Sequence, residues 1–107
     1  MALYSVIQKQ KYLEEEKDMK ANPGFILRNV VDEHILMPTG DNIGKFNGTV
    51  LLNEVSAFVW EKLQNPVSKD DLLRAVLDEF EVEKAVASAD LDALLATFNE
   101  YGIIENE

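Results

Sequence analysis

The spacing of apolar residues divides the chain into an N-terminal segment and a body. The first segment lacks proline and glycine from residue 3 to residue 21, and its apolar residues recur at loosely helical spacing: Leu3, Val6, Ile7 and Leu13. This pattern predicts a helix. The Asn22-Pro23-Gly24 turn ends it, because proline disfavours helix at the residue before it. We therefore predict a helical extension over residues 1–24 and a body over residues 25–107.

Three short strands are predicted after this turn. Residues 25–31, 34–37 and 49–52 are rich in β-branched and large apolar side chains and are bounded by turn-forming residues. Asp32-Glu33 is placed to turn the first pair of strands, although it lacks the glycine that a tight turn prefers. The glycine-containing segment 38–48 is predicted to be a loop before the third strand.

Helical spacing dominates from Asn53 onwards. Asn53 is a suitable N-cap for a helix that buries one apolar face and carries Trp60 on its flank. The residues predicted to be buried there are Val55, Phe58, Val59 and Leu63. Ser68 followed by Asp71 resembles a capping box and predicts the start of a second helix.

A third helix is predicted to begin between Glu83 and Ser88 and to be closed by Gly102, with Ile103 and Ile104 packing beneath that closure. The body thus has three strands followed by three helices. This segregated order predicts an α+β fold, with the helices on one face of a small three-stranded antiparallel sheet.

The distribution of charge limits the partners that the body can bind. The chain has 10 Lys and Arg against 20 Asp and Glu. Residues 1–24 are neutral, so the net charge of −10 belongs to residues 25–107. Such a surface repels nucleic-acid phosphates and anionic lipids, and favours neutral or basic partners. No apolar stretch is long enough for a membrane helix, no signal peptide is recognisable, and cysteine is absent, so we expect a cytoplasmic protein.

Residues for catalysis or metal binding are scarce. His34 is the sole histidine, and without cysteine a zinc site would need several carboxylates. We expect His34 to be a strand residue with a satisfied hydrogen bond. The acidic runs lack calcium-loop spacing, and the glycines match no phosphate-binding motif. We therefore predict a binding protein that is not an enzyme and that holds no metal and no cofactor.

A winged-helix DNA-binding regulator is an alternative, since the last two helices are joined by a short turn. Residues 88–101, which would form the recognition helix, contain Asp90, Asp92 and Glu100 but no lysine or arginine. Contacts to bases and phosphates need cationic or amide donors. This composition disfavours DNA binding.

One motif resembles a known family. Leu52-Asn53 is followed by Ala57 and Trp60, and further on comes the closing Gly102-Ile103-Ile104. Over about residues 25–104 the chain resembles the PqqD family, which comprises peptide chaperones of pyrroloquinoline-quinone biosynthesis and related leader-recognition domains of peptide natural-product pathways. The resemblance implies a winged-helix-like domain. It also implies binding of a precursor's leader segment as an added strand, and delivery of that precursor to a modifying enzyme, often a radical-SAM protein.

The resemblance implies a peptide site between the third strand and the third helix. The strand has no proline and no charge, so its edge is suited to pairing. Backbone hydrogen bonds at about 0.5–1.5 kcal/mol each nearly cancel an ordering cost of roughly 1–2 kcal/mol per residue, so the site also needs an apolar groove. The predicted peptide-binding residues are Gly48, Thr49, Val50, Leu51, Leu52, Leu94, Leu95, Thr97, Phe98 and Tyr101.

Core packing competes with peptide binding for Leu94, Leu95 and Phe98, whereas Thr97 and Tyr101 flank the apolar stripe. A second hypothesis is a structural or regulatory homo-oligomer, such as a homodimer, assembled through the N-terminal extension.

Overall fold

Residues 18–44 and 48–106 are described by the computed structural model. The elements, in chain order, are β1 (Met19–Ala21), β2 (Phe25–Val30), β3 (Glu33–Pro38), a 3-10 helix (Gly40–Gly44), β4 (Val50–Leu52), α1 (Glu54–Lys62), α2 (Lys69–Glu79), α3 (Lys84–Glu100) and β5 (Ile104–Asn106). Strands β2, β3 and β4 form an antiparallel sheet in that order, and β1 pairs with β5. The predicted α+β fold, with a three-stranded antiparallel sheet followed by three helices, is confirmed.

The hairpin between β2 and β3 turns one residue earlier than predicted. Val30 pairs with Glu33, so the turn consists of Val31 and Asp32. Val31 has a φ of 56°, which is a left-handed conformation that a β-branched residue seldom adopts. No glycine marks this turn in the sequence, so the register had no local signal. The pairing of the two strands places Val31 in the turn, although its side chain is poorly suited to that conformation.

Both predicted helix caps are present. The Ser56 N–H donates to Asn53 Oδ1 at 2.8 Å, at the start of α1. The Asp71 N–H donates to Ser68 Oγ at 3.2 Å, at the start of α2. Each bond satisfies a backbone donor that has no partner within its helix, which explains why the two helices begin where the sequence predicts.

The predicted closure of α3 is also confirmed. Gly102 has a φ of +70°, and the Ile103 N–H donates to the carbonyl oxygen of Phe98 at 2.8 Å. This is the hydrogen bond of a Schellman motif, which needs a left-handed residue after the helix. Ile103 and Ile104 are buried beneath the closure, as predicted.

The predicted N-terminal helix is wrong over Met19–Ala21, which forms a strand, and residues 1–17 of that prediction lie outside the described residues. Met19 exchanges backbone hydrogen bonds with Val67 at 2.8 and 2.9 Å, and β1 pairs with β5. Backbone hydrogen bonds to residues far away in the sequence thus outweigh the local helical preference of this segment. Met19 and Ala21 are buried in the core, so this part of the segment packs with the body.

The core lies between the three-stranded sheet and the helices. Trp60 is buried in it rather than lying on the flank of α1, and its ring meets that of Phe98 edge to face at a centroid distance of 6.3 Å. Val55, predicted to be buried, is instead partly exposed. The other fully buried large side chains include Leu36, Leu63, Leu72 and Ile103. Within the described ranges, no helix is both long and apolar enough to span a bilayer.

Candidate functional site: a strand edge that opens onto an apolar groove

Strand β4 lies at an edge of the three-stranded sheet. Among the described residues it pairs with β3 alone, through Leu36 with Val50 and His34 with Leu52. The N–H and C=O groups on its outer side therefore offer a template for another strand. Residues on this edge were predicted from the sequence to contact a peptide.

Side chains alternate between the two faces of β4. Leu52 is buried and Val50 half-buried on the helix side, whereas Leu51 points to the outer, exposed side. A guest strand added to this edge would follow the same alternation, so every second guest side chain would face the helices. The helix side is thus the side on which a guest could be recognised.

A groove of about 550 Å³ opens at the carboxyl end of β4. It begins at Asn53, the residue after β4, and lies between the start of α1, the end of α2 and the first half of α3. Its lining consists mainly of apolar side chains: Val55, Val59, Val76, Phe80, Val82, Ala87, Leu91, Ala93 and Leu94. A segment that pairs with β4 and continues past Asn53 would therefore meet an apolar surface.

The core supports this groove from below. Val59, Val76 and Leu91 line it but are themselves buried, so they form a fixed floor. Val55 and Leu94 are more accessible and form the walls. The ring of Phe80 is held edge to face against that of Phe58, at 5.3 Å between centroids. The groove is therefore built mainly on the helices, with part of one wall from the connection between α2 and α3.

The predicted residues of α3 fall into three groups. Leu94 lines the groove. Leu95 is only 8% exposed and Phe98 only 1% exposed, so both belong to the core and present almost no surface to a guest. Thr97 and Tyr101 are exposed but lie outside the groove, and the Thr97 hydroxyl donates to the carbonyl oxygen of Ala93 at 3.1 Å.

Several groove residues were not predicted as peptide contacts. Val55 was assigned to the core because it matches the apolar spacing of α1, but its place in the first turn leaves it beside the groove. Val82 lies between two acidic residues in the connection before α3 and lines the groove as well. An apolar residue isolated in an acidic connection was the available signal for Val82.

His34 has the structural role expected of it. Its Nδ1 atom forms a hydrogen bond with Oδ1 of Asn29, which is the residue opposite His34 on β2. Over residues 18–44 and 48–106, no group of histidine and carboxylate side chains is arranged to hold a metal ion.

The Leu52-Asn53, Ala57 and Trp60 motif builds the joint between β4 and α1. Leu52, Ala57 and Trp60 are buried, and Asn53 caps the helix. The motif therefore lies at the junction where the groove begins.

A family model described as coenzyme PQQ synthesis protein D (PqqD) matches residues 33–104. The chain belongs to the PqqD family. The match begins at β3 and ends with the first residue of β5, so it contains β4, the groove and all three helices. The PqqD resemblance that the sequence suggested is thus confirmed.

Two solved structures share the fold of this PqqD-family chain. One is described as TbiB1 in complex with the TbiA(beta) leader peptide; it is 17% identical, has a TM-score of 0.65, and the alignment covers 80% of this chain and 94% of that one. The other is described as lasso peptide synthetase B1 complexed with the leader peptide; it is 22% identical, with a TM-score of 0.64 and coverage of 81% and 96%. No curated protein matches the chain significantly.

Proposed function

We propose that this PqqD-family protein binds the leader segment of a ribosomally made precursor peptide as an added strand on β4. It then presents the precursor to a modifying enzyme, a radical-SAM protein or another class, in the cytoplasm. The observation that carries the proposal is the edge of β4, which is unpaired within the described residues, together with the apolar groove that begins at Asn53, directly after the strand. The two structures that share this fold are complexes with leader peptides, which supports the same kind of guest here.

The energetics of strand addition require both parts of this site. Four or five backbone hydrogen bonds contribute roughly 0.5–1.5 kcal/mol each, and ordering the guest costs about 1–2 kcal/mol per residue. These contributions nearly cancel. Each guest side chain buried in the groove adds about 1.5–3 kcal/mol. At about 550 Å³ the groove has room for a few side chains, so it can supply the net affinity.

The protein's part in this process is binding rather than chemistry. We propose that it is not an enzyme and that the covalent modification is performed by its partner. The groove suits this role because its lining is largely aliphatic and aromatic, and its few polar members include Asn53, which is occupied in capping α1. Binding a segment outside the modified part of the precursor leaves that part accessible to the enzyme.

Nuclear magnetic resonance titration of the labelled full-length protein with the precursor peptide encoded beside its gene tests the proposal. We expect the backbone amides of residues 48–52 and the methyl groups of Val55 and Leu94 to shift together with one dissociation constant. Shifts confined to other surfaces, such as β1 and β5, would reject strand addition on β4.

A matched pair of valine substitutions tests whether the groove contributes to peptide binding. Val55 lies in the first turn of α1, is 36% exposed and lines the groove, whereas Val86 lies in the first turn of α3, is 48% exposed and does not line it. Val55→Gln should weaken peptide binding about five- to tenfold, because it removes roughly 1–1.5 kcal/mol of apolar contact. Val86→Gln makes the same chemical change and should leave the dissociation constant unaltered. Equal effects of the two substitutions would argue against the groove.

A further inference from the structure

We infer that the groove selects leader segments that carry a lysine or arginine beside their apolar side chains. This inference rests on the proposed function and names the chemistry of the guest. Two carboxylates line the same groove as the apolar residues: Glu81, in the connection between α2 and α3, and Asp90, on α3. Both side chains are exposed at the rim.

Neither carboxylate is neutralised by a cation within the described part of the chain. The ion pairs found there join Lys69 to Asp92 and Arg74 to Asp71. Asp92, two residues along α3 from Asp90, therefore has a cationic partner that Asp90 lacks. Lys62 lies over the ring of Phe58, 5.1 Å from its centroid, rather than at the rim. The groove thus keeps uncompensated negative charge at its edge.

A long basic side chain matches this combination of surfaces. The aliphatic stem of lysine or arginine can pack along apolar residues while its charged end stays at the water-exposed rim. There it meets Glu81 or Asp90. An acidic guest side chain would instead be repelled by both carboxylates, so the rim discriminates by repulsion as well as by attraction.

The charge of the whole body acts in the same direction. Residues 25–107 carry six cations against sixteen anions, so the surrounding potential attracts basic peptides and speeds their encounter with the protein. This long-range effect is shared by all surface carboxylates. The contribution of Glu81 and Asp90 must therefore be separated from it experimentally.

Selection of random peptides by mRNA display against the full-length protein makes this separation. The wild-type protein should enrich peptides with alternating apolar residues and an adjacent lysine or arginine. The Glu81→Gln, Asp90→Asn double variant should keep the apolar preference and lose the basic one. A control with Asp32→Asn and Glu61→Gln removes the same two charges from outside the groove, and it should enrich the same peptides as the wild type.

Affinity measurements with one enriched basic peptide complete the test. The groove double variant should bind it about three- to tenfold more weakly at low salt, and the difference should shrink at high salt. Basic enrichment that survives in the groove variant, or that is lost equally in the control, would overturn the inference while leaving strand addition intact. If the wild type enriches no apolar extended peptides, the proposed function itself fails.

Discussion

The two edges of the three-stranded sheet differ in length and in what lies beside them. β2 has six residues and β4 has three, and each pairs with β3 alone within the described ranges. The longer edge offers more backbone groups, yet the apolar groove opens at the end of the shorter one. Because backbone pairing and guest ordering nearly cancel, an edge becomes a recognition site only where side chains can also be buried.

Charge separates the edges further. Arg28 stands in the middle of β2 with its side chain exposed, whereas β4 has neither a charged residue nor a proline. Charged residues on edge strands discourage pairing with foreign strands. The charge on β2 thus discourages pairing with a foreign strand, whereas β4 has no such charge at the edge beside the groove.

The largest expected effect is on stability and concerns β3, the central strand that pairs with both edge strands. Leu36 is completely buried at the centre of β3, between Leu27 on β2 and Val50 on β4. Leu36→Ala should lower the free energy of unfolding by about 2–5 kcal/mol, since it leaves a cavity beneath both edges. Chemical denaturation measures this change. A loss below about 1 kcal/mol would show that β3 does not anchor the sheet to the core.

A smaller loss of stability is expected from a substitution at Gly48, just before β4. Gly48 has a φ of +95°, a conformation that side chains rarely adopt, whereas Gly44 has no positive φ. A methyl group added at either glycine meets no atom within 4 Å, so only the backbone conformation distinguishes them. Gly48→Ala should destabilise the protein by about 1–2 kcal/mol, and Gly44→Ala should be close to neutral.

Thermal unfolding of the two glycine variants, followed by circular dichroism, tests this difference. The Gly48 variant should also bind the leader peptide more weakly, because the strain falls on the segment that presents β4. Equal melting temperatures would contradict the assignment of conformational strain to Gly48.

The smallest effect is expected at the hairpin that ends β2. Val31 is 94% exposed and has a φ of 56°. Its strained backbone therefore destabilises the protein, and no burial of its side chain offsets that cost. Val31→Gly should raise the free energy of unfolding by about 0.5–1 kcal/mol, the relieved strain exceeding the added chain entropy. Calorimetry measures this gain. Peptide affinity should stay constant, and a change in affinity would mean that the β2–β3 turn takes part in binding.

Local signals in the sequence were sufficient for most of the fold. Side-chain caps at Asn53 and Ser68 and a left-handed glycine at Gly102 depend on neighbouring residues alone, and all three are present as predicted. The strand Met19–Ala21 was missed because it is stabilised by residues about 50 to 85 positions away. Pairing over such distances leaves no local pattern in so short a segment.

The site was predictable in outline only. The sequence predicted a strand edge and one helical wall for the site, and both predictions follow from element order and the family resemblance. It did not separate Leu94, at the groove, from Leu95 and Phe98, in the core, because all three share the apolar stripe of α3. That separation depends on how α3 is rotated against α1 and α2, which apolar spacing alone does not determine.

Hydrogen exchange of the full-length protein, with and without the leader peptide, tests the central claim most directly. It reports backbone protection at both edges of the sheet in a single experiment. We predict that the peptide slows amide exchange within residues 48–52 and leaves residues 25–30 unchanged. Protection gained along β2, or saturating peptide binding with no change at β4, would contradict strand addition at the edge beside the groove.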